Sequence, residues 1–250
     1  MLQPKLALAS GEIVGAEALL RWEHPQRGLL APSSFIPIAE QTGLIRSLTL
    51  WVLEEAARHW RALQLAGTPL VLSLNLSGRD LLDPGLATAF DAVLLRQHAP
   101  AEAFCLEATE RSLMEDPQRA AATLQRLAGL GFKLSIDDFG SGWSSLANLK
   151  RLPLSEIKID RSLVTGMEGD AERARIVRAS IELAHTLGLA AVAEGVETAA
   201  TLELLRELRC DLAQGFHMGR PMAAGEFAQW AGRWQARRHS IATRGRPLLH

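Results

Sequence analysis

Cysteine is scarce in this chain. Cys105 and Cys210 are the only two, and neither lies in a CxxC-type pair. That excludes a cysteine-built zinc site and a disulfide framework. Both read as small buried hydrophobes of a reducing compartment. Excess charge is lacking too. The formal net charge of −1 argues against a basic surface for a DNA or RNA polymer. A small nucleotide stays compatible, because its phosphates need only local countercharge. No apolar run approaches the roughly 18 residues that a membrane span requires. The densest, Leu187–Ala193, stops at Glu194. The N-terminus lacks the basic start and apolar core of a secretion signal. These absences predict a cytoplasmic domain without membrane contact of its own, whatever larger protein carries it.

Several catalytic signatures are missing as well. Gly140-Ser141-Gly142 lacks the third glycine and the following helix of a dinucleotide loop. No nucleophile elbow supports a serine hydrolase. The seven histidines are scattered without metal-ligand spacing.

What is present is regular. Helix-like Ser47–Leu65 is stopped by Gly67-Thr68-Pro69, and strand-like Val71–Leu76 follows. The alternation continues with helix Leu86–Gln97, strand Phe104–Thr109, a helix from Asp116-Pro117 to Leu130, and strand Lys133–Phe139. Strand Ile157–Ile159, helix Ala171–Leu187, strand Leu189–Ala193, helix Thr198–Leu208 and strand Ala213–Phe216 complete it, before a last helix from about Gly225 to Gln235. Such alternation implies parallel strands with helical crossovers, and a closed α/β barrel fits better than an open sheet. A barrel of this kind takes about 250 residues. The first segment differs. Leu6–Ala9, a turn at Ser10-Gly11 and Ile13–Leu20 read as a hairpin, which makes one barrel strand antiparallel. Residues 236–250 hold arginines among Ser, Thr, Gly and Pro and read as a basic, disordered tail behind a domain at 1–235, with a basic docking segment for phosphate or another domain as the alternative.

The informative feature is where the apolar runs end. Successive strands carry Glu17, Asn75, Glu107, Asp137 and Asp138, Lys158, Glu194 and Gln214. Taken singly, each has a plain alternative: Glu17 a solvated charge, Asn75 a turn former, Asp137-Asp138 a loop cap. Lys158 between Ile157 and Ile159 requires an anionic partner. In a barrel, the C-terminal strand ends gather at one mouth, where barrel enzymes place their sites. Several carboxylates there repel one another, and oxygen ligands of this type suit Mg²⁺ or Mn²⁺. Adjacent strand residues face opposite sides. Asp137 and Asp138 can therefore share a site only if the strand ends and Asp138 belongs to the loop.

At this point the residues resemble the EAL-domain family of cyclic di-GMP phosphodiesterases. The defining stretch stands here as Glu17-Ala18-Leu19-Leu20-Arg21-Trp22, in order with Gln3-Pro4, Asn75-Leu76-Ser77, Glu107-Ala108-Thr109-Glu110, Asp137-Asp138-Phe139-Gly140, Lys158-Ile159-Asp160, Glu194-Gly195-Val196-Glu197-Thr198 and Gln214-Gly215. The resemblance spans about residues 2–232. It implies a modified TIM (β/α)8-type barrel with one antiparallel strand. It also implies hydrolysis of cyclic di-GMP to linear pGpG with two Mg²⁺ or Mn²⁺ ions and a water nucleophile.

By the same resemblance, Glu17, Asn75, Glu107, Asp137, Asp138 and Glu194 are metal ligands, and Lys158 and Gln214 handle the water. Gln3, Leu19, Arg21, Asp138 and Glu197 contact substrate, and Glu110 anchors the Asp137–Ser145 loop. A homodimer and fused or separate sensor or GGDEF domains are implied partners. A silent receptor for cyclic di-GMP is the alternative; such members are expected to lack metal ligands that are present here. The chain departs from the pattern at Trp143 and Phe216, where tyrosine is common, at Lys5 for an aliphatic residue, and at Arg209 for a glycine.

Overall fold

The alternation inside the strands is apolar against polar. In β5 (Val71–Leu76), Leu72, Leu74 and Leu76 share one face and Ser73 and Asn75 the other. In β6 (Phe104–Thr109), Phe104, Leu106 and Ala108 oppose Cys105 and Glu107. The same division runs through β7 (Lys133–Phe139) and β8 (Glu156–Ile159). Side chains two apart share a face. The aliphatic set therefore forms the layer beneath the helices, and the polar set fills the interior of the barrel. The interior is buried nonetheless: Lys5, Ser73, Glu107, Ser135 and Lys158 are all 3% exposed or less.

The computed structural model describes residues 1–140 and 149–244, with side chains to residue 236. Its barrel is closed in the order β1-β10-β9-β8-β7-β6-β5-β2, where β1 is Leu2–Ala7, β2 Ile13–Ala18, β9 Ala190–Ala193 and β10 Leu212–Gln214. β1 is antiparallel to both its neighbours, and the other pairings are parallel. One strand thus runs against the rest, as the hairpin predicts. Because β1 is reversed, its N-terminal end joins the C-terminal ends of the others. The register Gln3↔Glu17 places Gln3 at that mouth, and Lys5 lies one step deeper.

Helices cover the outside. α1 (Ile36–Thr42) and α2 (Ile45–Leu65) follow a small ribbon of β3 (Trp22–His24) and β4 (Gly28–Leu30). α3 (Gly78–Leu81) and α4 (Leu86–Gln97) follow β5, and α5 (Glu110–Glu115) and α6 (Pro117–Gly129) follow β6. α7 (Arg161–Val164) and α8 (Ala171–Thr186) follow β8, and α9 (Ala199–Glu207) follows β9. In α10 (Ala224–Arg244), Phe227 is fully buried, and the Trp234 indole donates to the Gly11 carbonyl beneath the first hairpin.

Three sequence expectations change. The first strand is Leu2–Ala7, not Leu6–Ala9. Pro4 and Lys5 disguise it, because proline lacks a ladder donor and lysine reads as surface. The last helix continues past Gln235 to Arg244. No glycine or proline interrupts it between Gly232 and Gly245, and its residues tolerate helix. Residues 245–250 of the expected tail lie outside the described residues. The third change concerns Asp138 and belongs to the site.

Candidate active site

Lys158 is the hub of the barrel mouth. Its ammonium meets Glu107 Oε2 at 2.6 Å, Glu194 Oε1 at 2.6 Å, Asp137 Oδ1 at 3.1 Å and Glu17 Oε2 at 3.6 Å. Each partner comes from a different strand end, so closing the barrel is what assembles the ring. Burial opposes the Lys158 charge, but Glu107, Glu17, Glu194 and Asp137 outweigh it and hold its pKa well above the ordinary value.

Glu17 is gripped from both sides. Asn75 Nδ2 donates to its Oε1 at 2.7 Å, and Gln214 Nε2 donates to its Oε2 at 2.6 Å. Gln214 also donates to Gln3 Oε1 at 3.2 Å, and Gln3 Nε2 donates to the Gly219 carbonyl. Gln214 is set by the residue after it. A Cβ on Gly215 would lie 2.1 Å from the Val196 carbonyl oxygen, so only glycine lets the β10 end press against the loop after β9. The Gln214 Oε1 has no protein partner and is buried, which leaves an acceptor for water or ligand.

Asp137 and Asp138 reach one site by a route that the sequence did not predict. β7 runs through both to Phe139, so Asp138 is not a loop residue. The register against β8 slips between Ile136 and Phe139, and Asp138 adopts φ +55°. A bulge of this kind re-aims a side chain without ending the strand. One oxygen each from Asp137, Asp138 and Glu194 then lie within 4.8 Å of one another.

The ring carries more negative charge than its ammonium groups balance. Glu107 sits between Lys158 and Lys5; although burial works against its charge, the two ammonium groups hold it down at about 2. Glu194 is pushed up to about 8, first by burial and then by Asp137 and Glu17, against the pull of Lys158. Asp138 is pushed up to about 6 by burial and by Asp137. A divalent cation at these oxygens would relieve the repulsion that pushes both carboxyls up. Carboxylate oxygens crowded around excess negative charge fit Mg²⁺ or Mn²⁺.

A second polar layer lies beneath the ring, and sequence reasoning missed it. Lys5 Nζ donates to Ser73 Oγ at 2.7 Å, Glu156 Oε1 at 2.8 Å and Glu107 Oε1 at 2.9 Å. The available signal was the spacing of two that links Lys5 to Gln3, Ser73 to Asn75 and Glu156 to Lys158. Both cysteines are buried and free, as expected, and burial pushes the Cys210 thiol up to about 12.

Two clefts flank the ring. The larger, about 770 Å³, includes Leu19, Pro32, Ile36, Asn75, Thr109, Arg111 and Asp138 in its lining. The smaller, about 150 Å³, is lined by Gln3, Glu17, Arg161, Glu194, Glu197, Gln214 and Phe216 among others. Phe216 is half exposed, with the Arg220 guanidinium 4.3 Å from its ring centre. Arg21 stands apart. Its guanidinium donates to the Leu20 carbonyl and lines a separate small cleft with Trp51 and His59. Glu110 is buried at the start of α5, while much of the Asp137–Ser145 loop expected to meet it, Trp143 included, falls at 141–148, outside the described residues.

Comparison with known proteins decides the family. The sequence profile described as the EAL domain matches residues 1–221. The chain belongs to the EAL-domain family. It is 45% identical over 226 residues to the bifunctional diguanylate cyclase/cyclic di-GMP phosphodiesterase MucR of Pseudomonas aeruginosa, covering 90% of this chain and 33% of MucR. To the cyclic di-GMP phosphodiesterase NbdA of the same organism it is 46% identical over 224 residues, covering 88% of this chain and 28% of NbdA. The chain thus spans about a third of the length of these relatives.

Its fold superposes on the MucR phosphodiesterase in complex with c-di-GMP with a TM-score of 0.85 at 45% identity, covering 90% of this chain and 92% of that one. It also superposes on the FimX EAL domain of P. aeruginosa bound to c-di-GMP with a TM-score of 0.81 at 27% identity, covering 89% and 90%. The modified TIM barrel of this EAL domain therefore agrees with the expected fold class. Among the described residues no helix is long and apolar enough to cross a membrane.

Proposed function

We propose that this EAL domain hydrolyses cyclic di-GMP to linear pGpG with two Mg²⁺ or Mn²⁺ ions, using water as the nucleophile. The observation that carries the proposal is the ring of Glu17, Glu107, Asp137 and Glu194 around Lys158, with Asp138 clustered beside it. Glu17, Asn75, Glu107, Asp137, Asp138 and Glu194 would hold the cations. When bound, such ions lower the pKa of water and screen phosphate oxygens. Lys158 keeps its proton and supplies fixed positive charge where the attacking water and the phosphate meet. Gln214 steadies Glu17 and offers its free carbonyl oxygen to the water.

The substrate is an anion, and an uncompensated carboxylate ring repels it. Cation loading reverses that sign, so substrate follows metal. The two clefts give the two guanine arms separate seats, with Leu19 and Asp138 on one side and Gln3 and Glu197 on the other. Arg21 contacts a phosphate with the guanidinium donors that the Leu20 carbonyl leaves over. Glu110 anchors the loop after β7. The domain works as a cytoplasmic homodimer, on its own or beside sensor or GGDEF domains. The complete ligand set favours hydrolysis over a silent receptor. Glu17→Ala should lower turnover about a hundredfold or more while the far-ultraviolet circular dichroism is unchanged. A folded Glu17→Ala protein with wild-type turnover would remove the metal assignment.

A further inference from the structure

The ring does not account for the charged layer below it. A lysine ammonium has three protons to donate. Lys5 uses all of them, on Ser73 of β5, Glu107 of β6 and Glu156 of β8. Its side chain is 4% exposed and that of Glu107 0%. Lys5 therefore ties three strands together across the barrel interior. Stability alone is a weak reason for such a tie, since apolar side chains can replace buried ion pairs at little cost.

The division of labour on Glu107 gives a better reason. Its Oε1 accepts from Lys5 at 2.9 Å, and its Oε2 accepts from Lys158 at 2.6 Å. Oε2 is thus on the side where Glu17, Asp137 and Glu194 gather, and Oε1 is held on the opposite side. Ser135, opposite Glu107 in the β6–β7 register, has a buried hydroxyl without a partner and does not take over this task.

We propose that Lys5 is a positioning residue: it clamps Glu107 from beneath, so that Oε2 alone is presented to the cation ring. The inference rests on reading that ring as a divalent-cation site. A carboxylate without the clamp is free to turn, either offering both oxygens or leaving the ring. Outer partners of this kind orient metal ligands, and their loss lowers affinity without touching the ion.

The test uses Lys5→Met/Glu156→Gln, which removes Lys5 together with its second carboxylate and leaves the net charge of the barrel interior unchanged. The probe is Mn²⁺, titrated calorimetrically into metal-free protein. The Mn²⁺ Kd should rise about tenfold, with a changed Mn²⁺ electron paramagnetic resonance spectrum. In the turnover assay, kcat should fall about tenfold or more, while KM for cyclic di-GMP stays within about twofold. Ser73→Ala, which deletes a single acceptor, is the milder variant and should give about a threefold rise in the Mn²⁺ Kd.

Wild-type Mn²⁺ affinity and an unchanged spectrum in whichever of these variants folds would overturn the proposal. So would a wild-type protein that binds no Mn²⁺. A wild-type protein that binds Mn²⁺ but cleaves nothing would instead sink the phosphodiesterase reading. The Mn²⁺ comparison would still decide the role of Lys5.

Discussion

Glu194 shows how far a single residue departs from its solution chemistry. Its carboxyl titrates near 8 because burial disfavours its charge, and Asp137 and Glu17 add to that against Lys158. The unfolded value is the ordinary 4.5. Between these values the folded protein holds a proton that the unfolded chain releases. The resulting stabilisation is complete below the unfolded value and is lost as pH rises through about 8. The melting temperature of the metal-free protein should therefore fall between pH 5.5 and 8.5, by roughly 2–4 °C per kcal/mol lost in a chain of this size. Glu194→Gln should flatten the profile, and saturating Mn²⁺ should remove it by replacing the proton. A wild-type profile already flat without metal would contradict this electrostatic account.

The ring was legible in the sequence because Lys158 and Glu194 interrupt or end apolar runs. Lys5 and Glu156 were not, since each has polar or proline neighbours and passes for surface charge. Period two says that a face is polar; it does not say whether that face meets water or the inside of a barrel.

At the level of elements, the parallel strands were readable because both their faces are buried and their apolar residues cluster. β7 was placed correctly, but its bulge was not, since nothing in Asp137-Asp138 distinguishes a slipped register from a strand end. The glycine expected at Arg209 has a local cause. Arg209 follows α9 and its C-cap Leu208 and adopts φ +59°, a left-handed conformation that glycine adopts without strain. Arg209→Gly should stabilise the protein by about 1 kcal/mol in urea unfolding, with turnover unchanged, because Arg209 precedes β10 at the end of the barrel opposite the mouth. Loss of stability in that variant would show that the arginine makes up the strain by contacts of its own.

For the molecule as a whole, the antiparallel first strand brings Gln3 to the mouth and Lys5 beneath it, so that the reversed strand supplies part of both polar layers. The closed barrel sets the carboxylates around Lys158 between two clefts of unequal size. The chain corresponds to about a third of the length of MucR and NbdA. The most direct test is turnover of cyclic di-GMP by this chain in Mg²⁺ or Mn²⁺, with the product identified by mass. The account predicts linear pGpG as the product, and no product once the cations are chelated. Intact cyclic di-GMP recovered from protein shown to bind both it and the cations would contradict the account and leave a receptor in place of an enzyme.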